Sequence, residues 1–185
     1  MTLASMRCPS PVGDLTLIAS MRGLVAILWE GDDPGRVRIE SAAERAGHAV
    51  LDDAAGELHA YFAGRRRVFS VPLDVRGTDF QKQVWAALRA IPFGETRSYA
   101  DIALAIGRPT ACRAVGAANG RNPLSIIMPC HRVVGSNGAL TGFAGGLAVK
   151  ARLLAMEQHI LRTGAADGAA ALPSDGRRAI GAREG

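Results

Sequence analysis

At 185 residues the chain has room for one large core or two small ones, and a net charge of +5 suggests an affinity for polyanions such as nucleic acid. No apolar run approaches the ~18 residues of a membrane span, and the opening MTLASMRCPSPVGD lacks a signal peptide's apolar stretch, so a cytoplasmic protein without membrane contact is expected. The three cysteines, Cys8, Cys112 and Cys130, form no C-x-x-C pair, which excludes a zinc-finger spacing and a disulfide framework.

In chain order, DLTLIAS at 14–20 alternates apolar and polar residues, and Arg22-Gly23 separates it from LVAILW, which predicts a β-hairpin on a core. Residues 31–50 are charged and unpatterned and are expected to form a loop. LDDAAGELHAYFAG sets Leu51, Ala55, Leu58 and Phe62 at helical spacing and stops at Gly64. RRRVFSVPLDV reads as another strand and an extended connector, with Pro72 confined to an edge or exit. These elements define a first, α/β domain over residues 1–75.

The second domain, residues 76–161, opens with the capping-box pattern Thr78-Asp79-Phe80-Gln81, after which Phe80, Val84, Ala87, Leu88 and Ile91 share one helical face until Pro92 and Gly94. Ser98 can cap a short helix through YADIALAI to Gly107, and Pro109 begins a second, PTACRAVGAAN, so the pair forms a helix-turn-helix candidate. Ala111, Ala114, Gly116, Ala117 and Ala118 leave the second helix nearly bare of bulk, so a nucleic-acid groove can approach, with Arg113 projecting toward it. Close helix packing with Arg113 in solvent explains the same pattern. Residues 162–185, rich in Gly, Ala and charge, are expected to be a disordered tail.

The chemistry concentrates in IIMPCHRVV at 126–134. LSIIM has the pattern of a buried strand, Pro129 ends regular pairing, and GSNG at 135–138 is a turn, which places Cys130 at a strand exit. A lone cysteine is often a small core residue, and a thiol of ordinary pKa is a poor nucleophile until a base or cation favours the thiolate. His131 and Arg132 are candidates for that role. Adjacent residues of an extended chain point to opposite faces, so His131 needs a bend or a bridging water to reach Cys130.

In the last helix, GGLAVKARLLAMEQHILR, the residues three and four from Glu157 are Leu153, Leu154, Ile160 and Leu161, so its carboxylate faces inward and needs a partner. Two partners fit: Arg132 in a structural ion pair, or His131, which Glu157 would orient toward activating Cys130. Lys150, in the first turn, is expected to snorkel outward.

These segments together resemble the 6-O-alkylguanine-DNA alkyltransferases, also called methylated-DNA–protein-cysteine methyltransferases. PCHRVV at 129–134 is similar to their active-site motif, and GTDFQKQVW, IPFGETRSYADIA, RAVGAANGRNP and TGFAGGLAVKARLLAMEQ match in order, with a fainter likeness in SPVGDLTL. The resemblance implies a ribonuclease-H-like α/β domain with a small antiparallel sheet, followed by a mainly α, winged-helix-like helix-turn-helix domain.

It also implies direct DNA repair: irreversible, single-turnover transfer of the alkyl group from the 6-oxygen of guanine, and also from the 4-oxygen of thymine, to Cys130. By the same resemblance His131 takes the thiol proton through a water, Glu157 orients His131, Tyr99 donates a proton to the guanine, and Asn122 braces the site. Val133, Phe143 and Ala144 recognise the base through their backbones. Arg113 fills the gap left by the flipped base, on a helix whose Ala114, Gly116 and Ala118 enter the minor groove. The implied partner is double-stranded DNA read without sequence preference, by a monomer whose cooperative binding is left open, with no metal and no cofactor. Phe143, Ala144 and Asn119 stand where some relatives carry Tyr, Ser and a bulkier residue. Two rival readings are a non-catalytic damage-sensing DNA-binding protein, whose known examples lack the cysteine, and a cysteine hydrolase built on Cys130, His131 and Glu157.

Overall fold

The computed structural model describes residues 3–39 and 41–164. Strands β1 (Leu3–Cys8), β2 (Leu15–Ser20) and β3 (Gly23–Trp29) pair antiparallel in sequence order, and the predicted hairpin is β2–β3, turning at Met21-Arg22. A fourth strand, β4 (Ala42–Glu44), runs parallel to β1 at the other edge, giving the order β3-β2-β1-β4. The segment expected to be all loop therefore contributes an edge strand. Its tether also covers the outer sheet face, where Val37, Ile39 and Ala42 pack on Leu3, Ile18, Val25 and Ala26.

Helix α1 (Ala49–Phe62) covers the inner face, burying Leu51, Ala54, Leu58 and Tyr61. The face thus runs through Ala54 and Tyr61, whereas Ala55 and Phe62, assigned to it from spacing, are only half-buried. The strand expected after α1 does not form. Between residues 65 and 75 only Leu73 makes an isolated bridge, to Leu24, because Leu24 N–H donates to Pro72 and Asp74 N–H donates back to Leu24 along the β3 edge.

Helix α2 (Asp79–Arg89) begins at the Thr78/Gln81 capping box, where each side chain satisfies the other's backbone N–H. It buries Val84, Trp85 and Leu88, and Trp85 Nε1 donates to Ala118 O at 2.8 Å. A two-residue strand β5 (Arg97–Ser98) leads into α3 (Tyr99–Ala105), capped by a second reciprocal pair, Ser98 and Asp101. After a turn, α4 (Cys112–Gly120) packs on α2 and α3, completing the helix-turn-helix and starting three residues after Pro109. Strand β6 (Val133–Val134) pairs parallel with β5, and α5 (Leu147–Thr163) closes the described chain.

LSIIM is not a strand. Leu124 alone bridges, to Ile27 of β3, and residues 125–127 turn, with Ile126 at φ 74°. Four apolar residues around one serine fit a buried turn as well as a buried strand, and the pattern carries no period to separate them. This turn docks on the β3 edge through Ile27 N–H to Pro123 O (2.8 Å) and Trp29 Nε1 to Ser125 Oγ (3.2 Å). One apolar cluster consequently runs from Leu17 and Leu58 through Val84 and Leu124 to Cys130 and Leu153. The expected tail lies, from residue 165 on, outside the described residues. No helix among the described residues is long and apolar enough to cross a membrane.

Candidate active site

Cys130 opens a 3-10 turn, Cys130–Arg132, instead of ending a strand, and all three of its side chains are buried. The turn removes the alternation that would have set His131 opposite Cys130. The thiol is 3% exposed, with Sγ 4.0 Å from Ser125 Oγ. Burial pushes its pKa up, an effect opposed by hydrogen bonding with Asn122 and Ser125 and by the charges of Arg36 and Lys150. At rest the sulfur is a protonated thiol.

Behind it, both partners open to Glu157 are engaged at once. His131 Nε2 lies 2.8 Å from Oε1, Arg132 Nε donates to Oε2 at 2.9 Å, and Arg132 Nη2 donates to Oε1 at 2.9 Å. Gly94 N–H donates to Oε2 at 2.9 Å and Tyr61 O–H to Oε1 at 2.6 Å. Burial alone would raise the Glu157 carboxyl, but His131 and Arg132 hold its pKa down to about 2. Of its apolar helix neighbours Leu153 and Ile160 are buried, whereas Leu161 is exposed.

His131 is fully buried, and burial pulls its pKa down against the Glu157 hydrogen bond. A neutral imidazole whose Nε2–H donates to Glu157 presents a lone pair on Nδ1, and Nδ1 has no hydrogen-bond partner among the described residues. The site therefore pairs an uncharged thiol with an uncharged base whose acceptor nitrogen is free.

Lys150 does not snorkel. Its side chain is buried, and Nζ donates to Val133 O and to Thr141 O, the latter at 2.6 Å. It ties β6 to the segment carrying Phe143 and Ala144, both half-buried. The Phe143 ring stands edge-on to Trp29 at 5.3 Å and 6.3 Å from the His131 ring. Gly145 lets this segment close down, since a Cβ there would lie 2.8 Å from the Trp29 ring. Tyr99 sits at the rim, its hydroxyl accepting from Thr141 Oγ1 at 3.1 Å and donating only weakly to Thr141 O at 3.5 Å.

Asn122 donates from Nδ2 to Met128 O (2.7 Å) and accepts Leu124 N–H at Oδ1 (3.0 Å), pinning both ends of the buried turn. Arg36, buried against Asp32, donates to the Asn122 carbonyl from the other side. On α4, Arg113 and Ala114 are exposed and Gly116 is half-buried, with the Tyr99 ring 3.8 Å from where its Cβ would be. Ala118, expected on the open face, is buried instead, because α4 turns it toward α2 and its carbonyl serves Trp85. Asn119 is buried too.

Cys130, His131, Glu157, Asn122, Val133 and Phe143 are thus gathered at one buried site, with Tyr99 at its rim and Arg113 on the outer surface. Tyr61, Gly94 and Arg36 were not identifiable from sequence, because each acts on a residue 63 to 96 positions away. Among the described residues no group of three or more His, Cys, Asp or Glu side chains could hold a metal ion.

Two family profiles match the chain: the ribonuclease-like domain of 6-O-methylguanine DNA methyltransferase over residues 6–75, and its DNA-binding domain over residues 79–159. A relative from Methanosarcina barkeri, called methylated-DNA–protein-cysteine methyltransferase, is 48% identical over 83% of this chain and 96% of its own length. One of the same name from Bacillus subtilis, described as constitutive, is 58% identical over 58% of this chain and 66% of its own. The crystal structure of Mycobacterium tuberculosis OGT in complex with DNA matches with a TM-score of 0.76 and 44% identity, covering 86% of this chain and 94% of that one.

Proposed function

Because this chain belongs to the 6-O-methylguanine DNA methyltransferase family, we propose that it repairs alkylated DNA directly, moving the alkyl group from the 6-oxygen of guanine to Cys130. The observation that carries this reading is buried Cys130 in one turn with His131, whose Nε2 lies 2.8 Å from a Glu157 carboxylate that Arg132 also holds. The 4-oxygen of thymine is a second substrate by the same chemistry.

The reaction is an in-line displacement. The bond from Cys130 Sγ to the alkyl carbon forms as the bond from that carbon to the 6-oxygen breaks. The thiol proton passes through a water to His131 Nδ1, so charge separates only as the bond forms; Glu157 stabilises the imidazolium, and Arg132 keeps that carboxylate in place. Tyr99 gives its hydroxyl proton to the departing guanine, leaving its weak contact with Thr141. The thioether has no leaving group, so each molecule reacts once. The chain is thereby a methylated-DNA–protein-cysteine S-methyltransferase that needs no cofactor.

A base inside a duplex must leave the stack to reach a buried sulfur. Arg113, on the exposed face of α4, fills the gap, and Ala114 and Gly116 allow α4 into the minor groove. Ala118 supports that helix from within. Backbone groups of Val133, Phe143 and Ala144 recognise the base, with Lys150 fixing the spacing between the two segments. Phosphate contacts make binding independent of sequence. The protein works as a cytoplasmic monomer, with domains at 1–75 and 76–161.

Intact mass after incubation with a duplex carrying one 6-O-methylguanine tests the reading. Wild type should gain one methyl group, mapped to Cys130, and Cys130→Ser none. If neither gains mass while both bind the duplex, the protein is a damage sensor and the reading falls.

A further inference from the structure

The reaction above makes no use of Tyr61. Its hydroxyl donates to Glu157 Oε1, the oxygen that His131 Nε2 also reaches, and the donor comes from α1, 96 residues away in sequence and in the other half of the molecule. The ring is fully buried and held on three sides, edge-on to Phe62 at 5.3 Å and Phe93 at 6.0 Å and tilted against Phe69 at 5.5 Å. Such a ring has little freedom to turn its hydroxyl elsewhere.

The charged and titratable groups facing the imidazole come from two elements, α5 and the 3-10 turn. Glu157 of α5 favours the imidazolium, while Arg132 of the 3-10 turn and Lys150 of α5 oppose it; Cys130 is neutral. An imidazole that can accept a thiol proton must be neutral beforehand, so the carboxylate must not draw a proton onto it. Each hydrogen bond the carboxylate receives from another donor weakens that pull. Tyr61 supplies one to the oxygen that matters and stays a donor throughout, its own pKa pushed well above the ordinary range by burial and by Glu157.

We propose that Tyr61 is a positioning residue for alkyl transfer: its hydroxyl, reaching across from α1, holds Glu157 Oε1 so that His131 stays oriented and uncharged until the thiol reacts. The proposal rests on the alkyl-transfer reading. It makes the α/β half a working part of the site as well as its scaffold.

The test is the second-order rate of methyl transfer from a 6-O-methylguanine duplex across pH, for wild type, Tyr61→Phe and Leu58→Ala. Leu58 is a fully buried α1 residue without a polar atom in its side chain, so its truncation weakens the packing and leaves the carboxylate's donors in place. In Tyr61→Phe the acid limb should move up by roughly half to one pH unit, so that the rate on that limb falls about three- to tenfold and returns to the wild-type plateau as pH rises. Leu58→Ala should lower the melting temperature and leave the limb where it is. An unmoved limb in Tyr61→Phe, or an equal shift in Leu58→Ala, overturns the proposal while alkyl transfer by wild type stands. No transfer by wild type at any pH overturns the underlying reading instead, and this one with it. If Tyr61→Phe does not fold, nitrogen NMR of wild-type His131 decides: a neutral ring protonated on Nε2 at neutral pH is the expected result, and an imidazolium there refutes the proposal.

Discussion

Cys8, at the end of β1, and Cys130, in the 3-10 turn, share the burial and the raised pKa that usually mark an inert thiol. They are 1% and 3% exposed, burial pushes both pKa values up, and Cys8 Sγ even lies 3.9 Å from a histidine, His59 Nε2. They differ in what stands around them. Asp14 adds its negative charge against a Cys8 thiolate, and His59 is exposed. Around Cys130 the nearby charges, Arg36 and Lys150, are positive, and its histidine is fixed by a carboxylate that Arg132, Tyr61 and Gly94 also hold. On the proposed mechanism, what separates the two thiols is the set of groups behind the histidine, one contact removed from the sulfur.

The strongest way to break that contrast is to strip a support. Arg132→Ala leaves Glu157 buried with its main counter-charge gone, and denaturant unfolding should show a loss of about 3–5 kcal/mol. A loss below about 1 kcal/mol would mean the carboxylate is not held as described. A finer cut uses pH. Glu157 titrates near 4.5 when unfolded and about 2 when folded, so the stability it contributes is present above its unfolded pKa and is lost as pH falls through that window. The shift corresponds to about 3 kcal/mol, and the stability gap between wild type and Glu157→Gln should shrink by that amount between about pH 5 and pH 2. The smallest effect is expected at the other thiol. Cys8→Ser places a hydroxyl in the core, which should cost about 1–2 kcal/mol in thermal unfolding while methyl transfer stays within about twofold of wild type.

The same contrast explains what could be read before the structure was known. Thr78 with Gln81 and Ser98 with Asp101 act within one helical turn, so local sequence announced both helix starts. Glu157 was recognisable as inward-facing from its own helix, and its two candidate partners are both real. Strand β4, the turn in place of a strand at LSIIM, and the inward turn of Lys150 were not recognisable. In each case the deciding contact is with a distant backbone: β1 for β4, β3 for the turn, and the carbonyls of Val133 and Thr141 for the lysine. Tyr61 carries no local signal of its role, because the carboxylate that uses its hydroxyl is 96 positions on.

Ile126 adds a consequence for how this site can age or adapt. A β-branched residue in the left-handed region costs on the order of 1–3 kcal/mol. Its side chain is 1% exposed, and burying it contributes a comparable amount, about 1.5–3 kcal/mol. The turn that presents Cys130 is therefore a clasp closed by the core beneath it, with little margin of its own. A cavity opened under Ile126 removes the burial that offsets its strained backbone, so in this protein the integrity of the interior and the shape of the turn that carries Cys130 are one property.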